Sequence, residues 1–450
     1  MLAQSLFDFD ALRAREFSRL DAQSIAYLDF AAAALYGQSQ VTAYAERLAC
    51  NVYGNPHSMH APSQASTRDV ARAKAATLAF FDADPAVYEV CLTANTSAAL
   101  KLVAESYPFS PQRALVLSAD NHNSVIGARE FARAKGAPIV TLALDDELRL
   151  AQADARITAI ASAHGPGLLA FPAQSNFSGV IHDLGLVKTA QALGFDVLLD
   201  AAASGAAGGI SLREHPVEFL ALAYYKLFGL PSGMGALIVK RSALARLKRP
   251  WFAGGTVDFV SIDHDRHRLR DGHHGFEDGT PNFLDAGAVA AGFDFLTRVP
   301  RLQLQQRLAA LGAHFLQRAS ALLHATGTPM LALYGPRDGR ARGATFAFNV
   351  LHPDGATVPF GEVEAHAQAA GVALRGGCFC NPGAAERAFG FAQRSVTACL
   401  GQLGAQFSIP AFQACLGEGT PVGALRLSMG LPTNFADIDR ALDLIPAFFL

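Results

Sequence analysis

Phe219-Leu220-Ala221-Leu222-Ala223-Tyr224-Tyr225-Lys226-Leu227-Phe228-Gly229-Leu230-Pro231-Ser232-Gly233-Met234-Gly235-Ala236-Leu237-Ile238-Val239 sets two apolar runs on either side of a lysine and a Gly/Pro turn. Neither run is long enough for a core helix, and neither alternates with polar residues. Both therefore read as strands covered on two faces. The pattern recurs upstream, at Tyr88-Glu89-Val90-Cys91-Leu92, Ala114-Leu115-Val116-Leu117, Pro138-Ile139-Val140-Thr141-Leu142, Leu168-Leu169-Ala170-Phe171 and Val197-Leu198-Leu199-Asp200. Helix-like stretches lie between them, from Ser97 to Ser106 and from Val125 to Lys135. The fold class expected is α/β, with a mostly parallel sheet between helices.

From about Pro300 the pattern changes. A long helix, Leu302 to His324, leads into less regular segments that read as a smaller α+β domain. The expected division is a large domain over 27–297 and a small one made of 1–26 with 298–450. Composition fits globular packing: 51% of the 450 residues are hydrophobic and 17% charged, with a formal net charge of -2. That charge gives no electrostatic case for nucleic acid or an anionic membrane surface. The opening residues lack a basic, apolar leader pattern, and no apolar run reaches membrane-spanning length. The expected location is cytoplasmic, with all six cysteines as thiols.

In a parallel sheet, the residues just after each strand meet at the ligand crevice. Lys226 ends one apolar run among aromatic neighbours, and partial desolvation would make its amine a nucleophile. Alone, it reads more readily as a lysine snorkelling to water. Asp200 ends another run and has no partner in its own segment. It needs a positive group, such as a protonated pyridine nitrogen, unless it caps a helix. His122 follows a third strand and suits either stacking on an aromatic ring or a structural role. Thr96 and Ser97 open a helix, where hydroxyls and free N–H groups together form a phosphate site.

Taken together along the chain, these residues resemble the cysteine desulfurase branch of the class V aminotransferases, which are fold-type I pyridoxal-phosphate enzymes. Further motifs bring the resemblance closest to the sulfurase domain of molybdenum cofactor sulfurases. They are Pro172-Ala173-Gln174-Ser175-Asn176-Phe177-Ser178-Gly179, Phe276-Glu277-Asp278-Gly279-Thr280 and Leu374-Arg375-Gly376-Gly377-Cys378-Phe379-Cys380-Asn381-Pro382-Gly383. The resemblance implies a mixed, mostly parallel seven-stranded sheet and a pyridoxal 5'-phosphate cofactor. Lys226 would hold the cofactor as a Schiff base, Asp200 would hold its pyridinium proton, and His122 would stack on the ring. Thr96, Ser97 and Tyr225 would lie near the phosphate. Asn176, Arg426 and Arg375 would meet the substrate carboxylate. Thr280 would reach the phosphate of a neighbouring subunit in a homodimer. Two positions depart from the family: Ala223 replaces a usual serine, and Ala203 stands where bacterial members carry glutamine.

Cys380 ends the family pattern R-x-G-x-x-C, so the resemblance makes it the persulfide-forming thiol, with Cys378 as an auxiliary. The activity implied is removal of sulfur from L-cysteine, leaving alanine, and transfer to an acceptor such as molybdenum cofactor or a carrier protein. A C–S or selenocysteine lyase, or an aminotransferase or epimerase of the same fold, would need no persulfide. A non-catalytic scaffold would need no cofactor. No metal is expected: Cys378 and Cys380 joined to His264, His267, His273 or His274 would make an incomplete set. The 263–274 run reads as a solvated loop. Cys50, Cys91, Cys399 and Cys415 read as core residues.

Overall fold

The computed structural model describes residues 6–417 and 419–449. The apolar runs form one seven-stranded sheet. Its order is Tyr88–Thr93, Gly235–Lys240, Phe219–Ala223, Asp196–Asp200, Leu168–Pro172, Leu115–Ser118, Ile139–Leu142. Gly235–Lys240 runs antiparallel to both neighbours, while the other pairings are parallel. Side chains alternate between two separate cores. Val116, Leu169, Leu199 and Leu220 enter one, and Leu115, Leu168, Leu198 and Phe219 enter the other. Burial on both faces is what made these strands continuous apolar runs in the sequence.

A second sheet of four strands has the order Leu331–Tyr334, Thr345–Val350, Ala424–Ser428, Arg375–Gly377. Its pairings are all antiparallel. Helices Arg301–Ser320 and Phe435–Ala447 cover it through Phe315 and Ile438, in a core of its own. The N-terminal part of the chain joins this layer. Ala26–Tyr27 pairs in parallel with Val372–Ala373, and Arg13 binds Asp437 at 2.5 Å. Residues 1–5, Glu418 and Leu450, which the small-domain expectation includes, lie outside the described residues.

Four details differ from the sequence reading. The helix expected from Val125 to Lys135 is two pieces, Asn123–Ile126 and Ala128–Ala134, broken at Gly127. The long helix ends at Ser320 rather than His324. The 263–274 run is no simple loop: Arg266–Leu269 pairs with Val257–Ser261 as a hairpin, and a 3-10 turn, Gly272–Phe276, follows. The cysteines differ most. Cys399 and Cys415 form a disulfide, with Cα atoms 5.8 Å apart, between helices Gln393–Leu403 and Ile409–Leu416. Of the residues read as core thiols, Cys91 is buried but Cys50 is exposed at a helix end. Apolar neighbours marked burial at Cys91 and Cys399 but not at Cys50.

Candidate active site

The carboxyl ends of the parallel strands converge on a cavity of about 360 Å³. Thr96, Ser97, His122, Asn176, Asp200, Tyr225 and Lys226 all border it. Each comes from a strand end, as the topology of an open parallel sheet requires.

The floor is electrostatically incomplete. Asp200 is 6% exposed, and its carboxylate accepts a hydrogen bond from the Ala202 N–H at 2.9 Å. Burial raises its pKa, against the opposing pull of that N–H and of Lys226. Burial also lowers the pKa of Lys226, with Asp200 acting in the other direction. The lysine therefore yields a free amine more readily than an exposed one. Burial lowers the pKa of His122, against the opposing pull of Asp200. Its Nδ1 accepts from the Ser124 N–H at 3.1 Å, which fixes the ring.

The wall nearest Thr96 is a helix start. Asn95 caps helix Thr96–Ser106 by accepting from the Ala98 N–H at 2.9 Å. Thr96 Oγ1 is buried without a hydrogen-bond partner, while Ser97 Oγ meets Ser124 Oγ at 2.6 Å. Gly235 packs directly on this turn, where a Cβ would stand 2.6 Å from the Asn95 carbonyl carbon. Pyridoxal phosphate fits these residues. Its ring nitrogen would give Asp200 the missing cation, its aldehyde suits Lys226, and its phosphate would satisfy Thr96 at the helix N-terminus.

Arg426 lies beside this cavity, 3% exposed. It donates to the Asn176 carbonyl at 2.9 Å and to Asp29 at 3.0 Å, and stacks 4.7 Å from the centre of the Phe379 ring. Arg375 shares the same carboxylate, at 2.8 Å from Asp29. The sequence reading missed Asp29, which neutralises both arginines. Its signal is weak, since it sits 346 and 397 residues from its partners.

Cys380 is exposed, yet its loop is tethered. The Phe379 carbonyl accepts from Asn176 Nδ2 at 2.6 Å, and the Cys380 carbonyl accepts from the Asn123 N–H at 2.8 Å. Phe379 and Cys380 both have φ of 56°, in the left-handed region. Next to them, Asn381 Nδ2 donates to Asp120 at 2.7 Å and to Asn176 Oδ1 at 3.0 Å. Asp120 is fully buried and is held further by His182 at 2.7 Å and Ser175 at 2.7 Å. Cys378 donates to the Val422 carbonyl at 3.0 Å, and burial raises its pKa. None of Asp120, His182 and Asn381 stood out in sequence as a unit. Replacing Asn381 by alanine removes donors from a buried carboxylate, at a cost of about 1–3 kcal/mol. The expected outcome is a lower melting temperature together with faster alkylation at Cys380, read by peptide mapping.

Thr280 is exposed on a loop, 3.4 Å from Asn55, and is not among the residues bordering the cavity. The histidines do not join the two cysteines. Among the described residues, the His/Cys/acid grouping close enough to share an ion is His273, His274 and Glu277. In it the Glu277 carboxylate is already paired with Lys74 at 2.7 Å. No described helix is long and apolar enough to cross a membrane.

The family model described as aminotransferase class-V matches residues 26–440. The chain belongs to that family. It is accordingly a pyridoxal-phosphate-dependent class-V enzyme. It is 34% identical over 486 residues to the molybdenum cofactor sulfurase of Solanum lycopersicum, covering 100% of this chain and 58% of the relative. To that of Anopheles gambiae it is 36% identical over 460 residues, covering 96% and 57%. The chain thus spans somewhat over half the length of these relatives. In structure, this class-V chain is similar to a cysteine desulfurase from Thermococcus onnurineus, with a TM-score of 0.78 at 23% identity, covering 100% and 99% of the two chains. A cysteine desulfurase from Escherichia coli gives 0.77 at 22%, covering 99% of each. At those identities the likeness is one of fold.

Proposed function

We propose that the chain is a cysteine desulfurase, which removes sulfur from L-cysteine, releases alanine and holds the sulfur as a persulfide on Cys380. The observation that carries this reading is that Lys226 and the buried Asp200 carboxylate border one cavity, while the exposed Cys380 thiol sits on a loop hydrogen-bonded through Phe379 to Asn176 of the same cavity wall. Bound pyridoxal phosphate supplies an electron-withdrawing pyridinium ring that acidifies the Cα–H bond of an amino acid attached to it.

The chain's residues do the rest. Lys226 Nζ anchors the cofactor and, once displaced by substrate, takes the Cα proton, for which its lowered pKa suits it. The Asp200 carboxylate holds the ring-nitrogen proton, and the His122 imidazole covers the ring. Thr96, Ser97 and Tyr225 hold the phosphate. Asn176 and Arg426 orient the substrate carboxylate, with Arg375 beside them. The Arg426 Nε, buried without a partner, supports this role. The Cys380 thiolate then attacks the substrate sulfur. An S–S bond forms as the substrate C–S bond breaks, and the electron pair goes to Cβ, which takes a proton. Cysteine and the enzyme thiol become alanine and a persulfide, so the atoms balance.

The test is incubation with L-cysteine, followed by alanine quantification and intact mass. A gain of about 32 Da on the peptide of Cys380 is expected. Pyruvate, ammonia and sulfide in place of alanine and that gain would overturn the persulfide step in favour of a C–S lyase. Arg426→Lys exchanges a planar fork for a point charge. The expected result is a KM for cysteine raised about tenfold or more, with a smaller change in kcat.

Molybdenum cofactor, or a carrier protein, is the proposed acceptor, on the strength of the sulfurases the chain resembles. A homodimer in which Thr280 serves the partner's site is proposed on the exposure of that residue. Cytoplasmic residence is proposed from the free thiols at Cys50, Cys91, Cys378 and Cys380, with the Cys399–Cys415 disulfide pointing the other way. The domain division at 27 and 297 is proposed from the separate core of the four-stranded sheet.

A further inference from the structure

A second, larger space adjoins the cavity around Lys226. It measures about 750 Å³ and lies between helix Arg301–Ser320, the 203–208 segment and the 337–344 loop. Gln174, Ala203 and Lys226 border both spaces.

The sequence explains why it is open. From Ala201 to Gly209 no side chain exceeds serine, and the helix presents Ala309, Gly312 and Ala313 to the space. Its walls are mainly apolar, Phe228, Phe295, Leu304 and Phe346 among them. Protein interiors are packed to crystal density, so an open apolar space of this size is a feature to be explained. Its volume falls within the ~300–1,000 Å³ of small-molecule sites, which combine apolar walls with a few polar groups.

Two polar features define what would enter. Ser204 borders the space, and its Oγ is buried without a hydrogen-bond partner. At the rim, three arginines differ in their engagement. Arg340 is paired with Asp338. Arg342 donates to the Tyr334, Pro336 and Thr345 carbonyls and lies over the Phe346 ring. Arg337 is exposed and, among the described residues, has neither hydrogen bond nor ion pair, so its charge is free to meet an anion.

We propose that this chamber is a second ligand site, for an organic anion with an apolar, aromatic body. The body sits among the phenylalanines, a polar atom meets Ser204 Oγ, and the acidic end reaches Arg337. Because Lys226 forms part of the wall, such a ligand would abut the reaction centre without occupying the smaller cavity. The assignment does not depend on the desulfurase reading.

The test uses the cofactor-loaded protein and two fluorescent probes of similar shape: 8-anilinonaphthalene-1-sulfonate, which is anionic, and N-phenyl-1-naphthylamine, which is neutral. Both are expected to bind saturably. Ala309→Trp and Ala313→Trp project bulk into the space from an exposed helix position. Each is expected to weaken both probes about tenfold or more, with an unchanged circular dichroism spectrum. Arg337→Ala is expected to weaken only the sulfonate, by about fivefold or more. Undiminished binding of both probes in the two tryptophan variants would place the probes elsewhere and overturn the site. Equal sulfonate affinity in Arg337→Ala would overturn the anionic class. Saturable binding by neither probe would overturn the proposal as a whole.

Discussion

Lys226→Ala is expected to lose cysteine turnover by at least about 10³-fold, together with the visible absorbance of a lysine-bound cofactor. No other described amine adjoins the cavity: the residues that border it include Lys226 and no second lysine. The effect should be local, because Lys226 is not among the residues of the hydrophobic cores. A thermal melt checks this and should move little. Removing Asp200 gives a complementary test of the electrostatics. Burial lowers the lysine pKa and Asp200 raises it. An Asp200→Ala protein therefore has a still lower lysine pKa. The acid limb of its reaction with a simple aldehyde, trapped by borohydride, is expected to shift to lower pH. A shift to higher pH would contradict the pairing.

Cys380→Ala is expected to abolish the mass gain on cysteine treatment and to reduce alanine formation about 10²-fold or more. The substitution leaves the three tethers of its loop intact, since they run through main-chain carbonyls and Asn381. Any loss is then attributable to the sulfur itself. Cys378→Ala is the control. Its thiol is directed to the Val422 carbonyl and its pKa is raised by burial, so most activity should remain. Full desulfuration by Cys380→Ala would mean that another group receives the sulfur.

Some of this was legible in the sequence. The seven apolar runs became the seven strands, with ends shifted by about a residue, because burial on both faces leaves an unbroken apolar signature. The same logic located Asp200, His122 and Lys226, which stand where strands stop. Other features had no such local sign. The Asp29–Arg426 pair and the Asp120–Asn381 contact join segments 397 and 261 residues apart, and a side chain's distant partner leaves no periodicity in its own segment. The Cys399–Cys415 bridge was misread for a related reason. Apolar neighbours marked Cys399 as buried, as it is in a small cluster around Phe412 and Val422, but gave no sign of its bond to Cys415, 16 residues on.

The pairing of Ala26–Tyr27 with Val372–Ala373 bears on the order in which the molecule can be assembled on the ribosome. Every strand of the seven-stranded sheet lies between residues 88 and 240, so that sheet can close, and the cavity around Lys226 take shape, while the last third of the chain is still being made. The N-terminal strand must wait unpaired until residue 373 emerges, and with it come Arg375, Cys380 and Arg426. Synthesis from the N-terminus thus delays the thiol until its surroundings are already folded.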